Sequence, residues 1–313
     1  MELTLSQIRD ITVGALVVTQ DDFGFHFMRN TPTQKATYTS ILEVWGPRCD
    51  HTAGIRLDFH TNATVFRATV ASEGSYEVLL DGINCYYEAL AEGETIEISL
   101  DGNDHRLTLI FPYAKPGSLR SVLLTDGCYI TPHKYSKKVA FYGDSITQGS
   151  TAVQTSRSYF WQVTKHFDLH SMNFGIGGIR FQPEGLEDVG YDPDLVLISL
   201  GTNNFGSNKP MELLQTNCPA YFDKIKALYP KCKIVCITPI WRADGDEVKA
   251  LGTIHDARKL IAAEAQKRDL IVIDGWDLVP HQTELYADLR LHPNAEGFDH
   301  YSKNLIAQLT PYL

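Results

Sequence analysis

Hydrophobic and polar residues alternate in two rhythms along this chain, and the rhythm changes near residue 135. Before that point the runs are short and have period two: Gly54-Ile55-Arg56-Leu57-Asp58-Phe59, Val65-Phe66-Arg67-Ala68-Thr69-Val70, Tyr76-Glu77-Val78-Leu79-Leu80, Thr95-Ile96-Glu97-Ile98-Ser99-Leu100 and Arg106-Leu107-Thr108-Leu109-Ile110-Phe111. Such alternation buries one face of a strand and wets the other. Asp81-Gly82 and Asp101-Gly102-Asn103-Asp104 supply turns between runs. Nothing here has a helical period of useful length. Residues 1–134 therefore read as an all-β domain, a sandwich or jelly roll.

Thr131-Pro132-His133-Lys134-Tyr135-Ser136-Lys137-Lys138 is polar and contains a proline, which fits a linker. Beyond it, strand-like apolar runs at 139–142, 171–174, 195–200, 233–238 and 270–273 alternate with helical stretches. In 253–268, Ile254, Ala257, Ile261 and Ala265 share one face. The last helix, about 295–309, buries Phe298, Tyr301, Leu305 and Leu309. Residues 137–313 thus predict an α/β domain, a doubly wound parallel sheet flanked by helices.

Four loops in this second part carry chemistry. Gly143-Asp144-Ser145 follows the first strand, Asn173-Phe174-Gly175-Ile176-Gly177-Gly178 the second, and Gly201-Thr202-Asn203-Asn204 the third. Asp288-Leu289-Arg290-Leu291-His292-Pro293-Asn294 precedes the final helix. Loops at the carboxyl ends of parallel strands gather at one edge of an open sheet, where ligand sites form. Ser145 is a weak nucleophile until a base takes its proton, and His292 is the candidate base. A tetrahedral intermediate needs donors aimed at its oxyanion; the Ser145 N–H, the Gly178 N–H and the Asn203 amide are candidates.

Taken singly, each loop has an ordinary explanation. Gly-Asp-Ser is a turn with an N-cap, Gly-Thr-Asn-Asn a turn, and His292-Pro293-Asn294 the start of a helix. Asp144 reads as a loop anchor. Trp241, just after the fourth strand, is a candidate pocket wall or a packing residue. Gly175–Gly178 lacks both the dinucleotide glycine spacing and a P-loop lysine. The order of the four loops is what favours catalysis.

That ordered set resembles the SGNH (GDSL) hydrolase superfamily over residues 137–313. The resemblance implies a flavodoxin-like sheet and metal-free, cofactor-free hydrolysis of esters or thioesters. It assigns Ser145 as nucleophile, His292 as base, and Gly178 and Asn203 to the oxyanion hole. The family's Asp-x-x-His would put an acid at position 289, where this chain has Leu289, and Asp288 lies four residues before the histidine. Either Asp288 orients the imidazole across one extra residue, or a backbone carbonyl does so. An amino-terminal β-sandwich joined to such a domain is similar to the acetyl esterases of carbohydrate esterase family two. That implies a short-chain, acetyl-type ester of a carbohydrate or small alcohol as substrate. The rivals are a lipid-directed esterase, thioesterase or lysophospholipase, and a non-catalytic carbohydrate-binding protein.

Composition narrows the partners. A formal net charge of −10 argues against nucleic acid and anionic membrane surfaces. No apolar stretch approaches the roughly 18 residues of a membrane span, and Met1 to Asp10 lack a signal-peptide pattern. The six cysteines are scattered without ligand spacing, which points to free thiols, no metal, and a reducing, cytoplasmic address. The β domain is expected to cover the cleft, bind sugar or mediate homo-oligomerisation.

Overall fold

A computed structural model describes residues 1–313. The alternating runs form strands of two antiparallel sheets. One sheet runs, in spatial order, Thr12–Val13, Arg56–Thr61, His105–Ile110, Gly74–Leu80 and Ile83–Leu90, with Ile130–Pro132 also paired to Arg56–Thr61. The other runs Val17–Asp21, Gly24–Met28, Ser118–Leu124, Val65–Val70 and Thr95–Ser99. Their inward residues, Leu57, Phe59, Val78 and Leu109 from the first and Phe27, Phe66, Val70 and Val122 from the second, share one core.

The amino-terminal part is not purely β, as the alternation predicted. It contains helices Leu5–Ile11, Pro32–Ile41 and Trp45–Cys49. They are too short to build a periodic stripe: Pro32–Ile41 buries only Gln34 and Tyr38. Its start is nonetheless written locally, in a capping box between Thr31 and Gln34 with Pro32 in the first turn.

The second part is a five-stranded parallel sheet in the spatial order Leu169–Gly175, Lys137–Gly143, Leu195–Ser199, Lys233–Ile237 and Ile271–Ile273. This is the flavodoxin-like order, whose switch point lies beside the first strand of the sheet in sequence. Successive residues of that strand point to opposite faces. Ala140 and Tyr142 join the core under helices Met211–Leu228 and Ile254–Gln266, while Val139 and Phe141 join the one under Tyr159–His166 and Ala295–Leu309. Both faces are covered, which is why these strands read as continuous apolar runs.

The two parts interlock. Tyr38, Trp45 and Cys49 pack in the same cluster as Phe174 and Ile179, and Leu79 and Ile110 in the same cluster as Phe160. Arg29, fully buried, donates to the carbonyls of Asn173 and Gly175 at 2.7 Å each, to His51 at 2.5 Å and to Arg48 at 3.0 Å. One guanidinium thus fixes the segment around residues 48–51 against the end of a parallel strand. The polar stretch at 131–138 is also pinned, by His133 to Asp168 at 2.9 Å and by Tyr135 to Asp58.

Candidate active site

The strand Lys137–Gly143 ends in Gly143, whose missing side chain leaves room for Thr147. Asp144 then caps the short helix Ser145–Gln148, accepting from the Ile146 N–H at 2.9 Å. It anchors this turn. Burial pushes its carboxyl up to about 6, against the Ile146 N–H and the nearby His292 and Arg242. Ser145 becomes the first helical residue, so its N–H has no partner within the helix and points from the amino-terminal end.

His292 arrives from the opposite side, two residues before Asn294, which caps the helix Ala295–Leu309. Its Nε2 lies 2.9 Å from Ser145 Oγ. Its Nδ1 lies 2.8 Å from Asp288 Oδ2. The other carboxylate oxygen of Asp288 accepts from the N–H groups of Arg290, Leu291 and His292 at 3.0, 2.7 and 3.1 Å. Partial burial raises the Asp288 carboxyl, but these N–H groups and the imidazole outweigh it and hold it well below the usual carboxylate range. Of the two ways to orient the imidazole, the geometry has the carboxylate in place.

A cavity of about 350 Å³ opens over Ser145 and His292 and includes Gly178 and Asn203 in its wall. Gly178 has φ of +80°, and a Cβ there would come within 2.8 Å of the Arg48 guanidinium. The conformation favours glycine, and any larger residue would also have to displace the Arg48 guanidinium. Asn203 donates one amide hydrogen to the Ile179 carbonyl at 3.1 Å, which fixes the amide plane and leaves its second hydrogen free. The five residues expected at the site therefore converge. Trp241 does not line the cavity; it stacks on His281 at 5.6 Å and packs on Tyr286 at 5.2 Å.

Among the wall residues that were not expected, three tie the wall together. Gln148 accepts from the Gly177 N–H at 2.8 Å and reaches the Tyr113 carbonyl at 2.9 Å and His51 Nδ1 at 2.7 Å, so it ties the glycine loop to the amino-terminal part. Its place in Gly-Asp-Ser-Ile-Thr-Gln was the available signal. Arg48, donating to the Gly177 carbonyl, and His51 come from the segment fixed by Arg29, and no local pattern marks them. Burial, aided by Arg29 and Arg48, lowers His51 to about 4, so it is neutral. A serine hydroxyl bonded to an imidazole, a carboxylate on the far ring nitrogen and free N–H donors in one polar cavity are the groups that acyl transfer requires.

The model of the GDSL-like lipase/acylhydrolase family matches residues 141–300. The chain belongs to that family. Membership makes it a carboxylic ester hydrolase by family, an esterase or acyltransferase in chemistry. Solved structures share the fold of this GDSL-like chain at low identity. The salicylyl-acyltransferase SsfX3 from a tetracycline biosynthetic pathway matches with a TM-score of 0.84 at 21% identity, over 96% of this chain and 94% of its own. The acetyl xylan esterase Est2A from the rumen bacterium Butyrivibrio proteoclasticus matches with 0.67 at 14%, over 99% and 98%. A family two carbohydrate esterase from Cellvibrio japonicus matches with 0.66 at 17%, over 83% and 89%. No curated protein matches the sequence. No helix is long and apolar enough to cross a membrane.

Proposed function

We propose that this protein is a serine esterase that removes short acyl groups, acetyl among them, from polar alcohols such as carbohydrates. The Ser145–His292 hydrogen bond of 2.9 Å carries this reading. Ser145 Oγ attacks the ester carbonyl while His292 Nε2 takes its proton, and the oxyanion rests on the N–H groups of Ser145, Gly178 and Asn203. Collapse expels the alcohol, which receives the proton from His292. Water, activated by the same imidazole, then clears the acyl group from Ser145. Asp288 holds Nδ1–H throughout and stabilises the imidazolium.

Polarity of the cavity favours a hydrophilic substrate over a lipid. Eleven residues line it, and Ala114 alone is hydrophobic. The fold shared with an acyltransferase supports a second outcome for the same acyl-enzyme, capture by an alcohol instead of water. Six unpaired cysteines fit a reducing, cytoplasmic setting.

Turnover of p-nitrophenyl acetate by the wild type, its loss in Ser145→Ala, and fluorophosphonate labelling at Ser145 test the assignment. Wild-type-like activity in Ser145→Ala would remove it. In a series from acetate to octanoate, kcat/KM should fall beyond about four carbons, because each surplus methylene has no apolar wall to enter. A rise towards octanoate would favour the lipid-directed alternative.

A further inference from the structure

Gly178 and Asn203 form a wall shared by two cavities. On the side away from Ser145 lies a second one, of about 260 Å³, whose character is different. Arg180, Arg242, Lys249 and Arg290 line it together with Trp45, and no carboxylate is among its lining residues. Asp244 sits just behind and is shared by three of the cations: Arg242 at 2.5 Å, Lys249 at 2.7 Å and Arg290 at 4.0 Å. Glu247, 3.7 Å from Lys249, is mostly exposed at the rim. Four cations therefore line one cavity and three of them share a single buried carboxylate, in a chain whose formal net charge is −10.

Two residues that line this cavity each carry a buried donor with no partner. Trp45, fully buried, has no hydrogen-bond partner for its Nε1, and Arg180 has none for its buried Nε. With its Nε unpartnered, the Arg180 guanidinium stacks over the Trp45 ring at 5.2 Å. The indole nitrogen is itself 3.6 Å from where a Cβ of Gly178 would stand, so these donors lie directly beside the oxyanion wall. A buried donor without a partner is costly, and a cluster of them surrounded by cations is matched by an anion rich in acceptors. The flat arginine fork suits a carboxylate in particular.

We propose that this second cavity binds a carboxylate carried by the substrate, so that the preferred ester has an acidic group on its acyl half or its alcohol half. The inference rests on the esterase reading for the identity of the bound molecule. It names what that reading leaves open, the charge of the substrate.

Binding to the catalytically silent Ser145→Ala protein, measured by calorimetry at low ionic strength, tests this apart from turnover. Two isosteric pairs separate the halves: monomethyl glutarate against its neutral amide, methyl 5-amino-5-oxopentanoate, for an acidic acyl group, and 3-acetoxypropionate against 3-acetoxypropanamide for an acidic alcohol. In at least one pair the charged ester should bind about tenfold tighter or more, since a charge-assisted bond to a buried donor is strong. Adding Arg290→Gln, at an exposed position that does not threaten folding, should erode that preference about tenfold, and Arg180→Gln should do the same. Equal binding within both pairs, or a preference that neither arginine variant alters, would overturn the proposal. Failure of the wild type to turn over any ester would instead overturn the esterase reading.

Discussion

Asp288 Oδ2 lies 2.8 Å from His292 Nδ1 although four residues, rather than the three of the family pattern, separate the two side chains in sequence. The extra residue is absorbed by Leu289, whose φ of +55° turns the chain left-handed and sends its side chain outward, 64% exposed. Three N–H groups that follow it then close on Asp288 Oδ1, leaving Oδ2 for the imidazole. The loop is longer, yet the carboxylate reaches the same nitrogen.

Asp288→Ala should lower kcat for p-nitrophenyl acetate by about 10² to 10⁴-fold, while His292→Ala costs at least about tenfold more, because the acid positions and the imidazole reacts. Steady-state kinetics on both variants decide this. Equal collapse would mean that the loop, and not only the tautomer, depends on Asp288.

Leucine is strained in the left-handed region by about 1 kcal/mol, and glycine is not. Leu289→Gly should therefore stabilise the protein by about 0.5 to 1 kcal/mol in urea denaturation, whereas Leu289→Ala, which keeps its Cβ, should not. A gain in neither variant would show that the backbone there is unstrained.

Asp144 carries a pH signature. Its carboxyl is raised from 3.8 to about 6 by burial, so the folded state holds the proton more tightly than the unfolded chain. Its contribution is fully present below the ordinary pKa and is lost as pH rises through about 6. Asp144→Asn keeps an oxygen for the Ile146 N–H and removes the titration. The stability difference, variant minus wild type, should grow between pH 4 and 7 by up to about 3 kcal/mol. A difference that is flat with pH would mean the carboxylate is solvated in the folded protein.

Asp58 joins the two parts of the molecule. Its side chain has no exposure and accepts from Arg106 at 2.8 and 2.9 Å, with Arg56 at 3.4 Å. Arg56 continues to the Leu169 carbonyl at 2.8 Å and Ser171 at 3.2 Å, in the parallel sheet. Asp58→Ala should cost about 3 to 5 kcal/mol by leaving Arg56 buried and unpaired. Burial raises the Asp58 carboxyl, but Arg106 and Arg56 outweigh it and hold it below its ordinary value, so this contribution is lost as pH falls into the acid range. Denaturant titrations at neutral and acid pH measure both effects; a loss within 1 kcal/mol would count against the network.

Local pattern was enough wherever the interaction is local. Period-two alternation identified Arg56–Thr61, Val65–Val70, Gly74–Leu80, Thr95–Ser99 and His105–Ile110, and continuous apolar runs identified the parallel sheet. The order of loops after parallel strands was enough to bring Ser145, Gly178, Asn203 and His292 to one edge, because such a sheet has only one carboxyl end. Edge strands such as Ile83–Leu90 escaped notice because they are largely exposed and carry little contrast between faces. Helix Pro32–Ile41 escaped because it buries only Gln34 and Tyr38 and so shows no apolar stripe, and Trp45–Cys49 because five residues hold no period.

What the chain could not disclose is everything decided by contact across distance. Arg48, His51 and Trp45 reach the catalytic edge because Arg29 bonds to carbonyls more than 140 residues away. Trp241, adjacent in sequence to a strand end, turns instead to stack on His281. The residues and their periodicity determined which strands form and which serine and histidine come to one edge. Only the packed molecule decided that Asp288 meets His292 and that arginines gather behind Gly178, since those depend on loop conformation and on surfaces that meet only after folding.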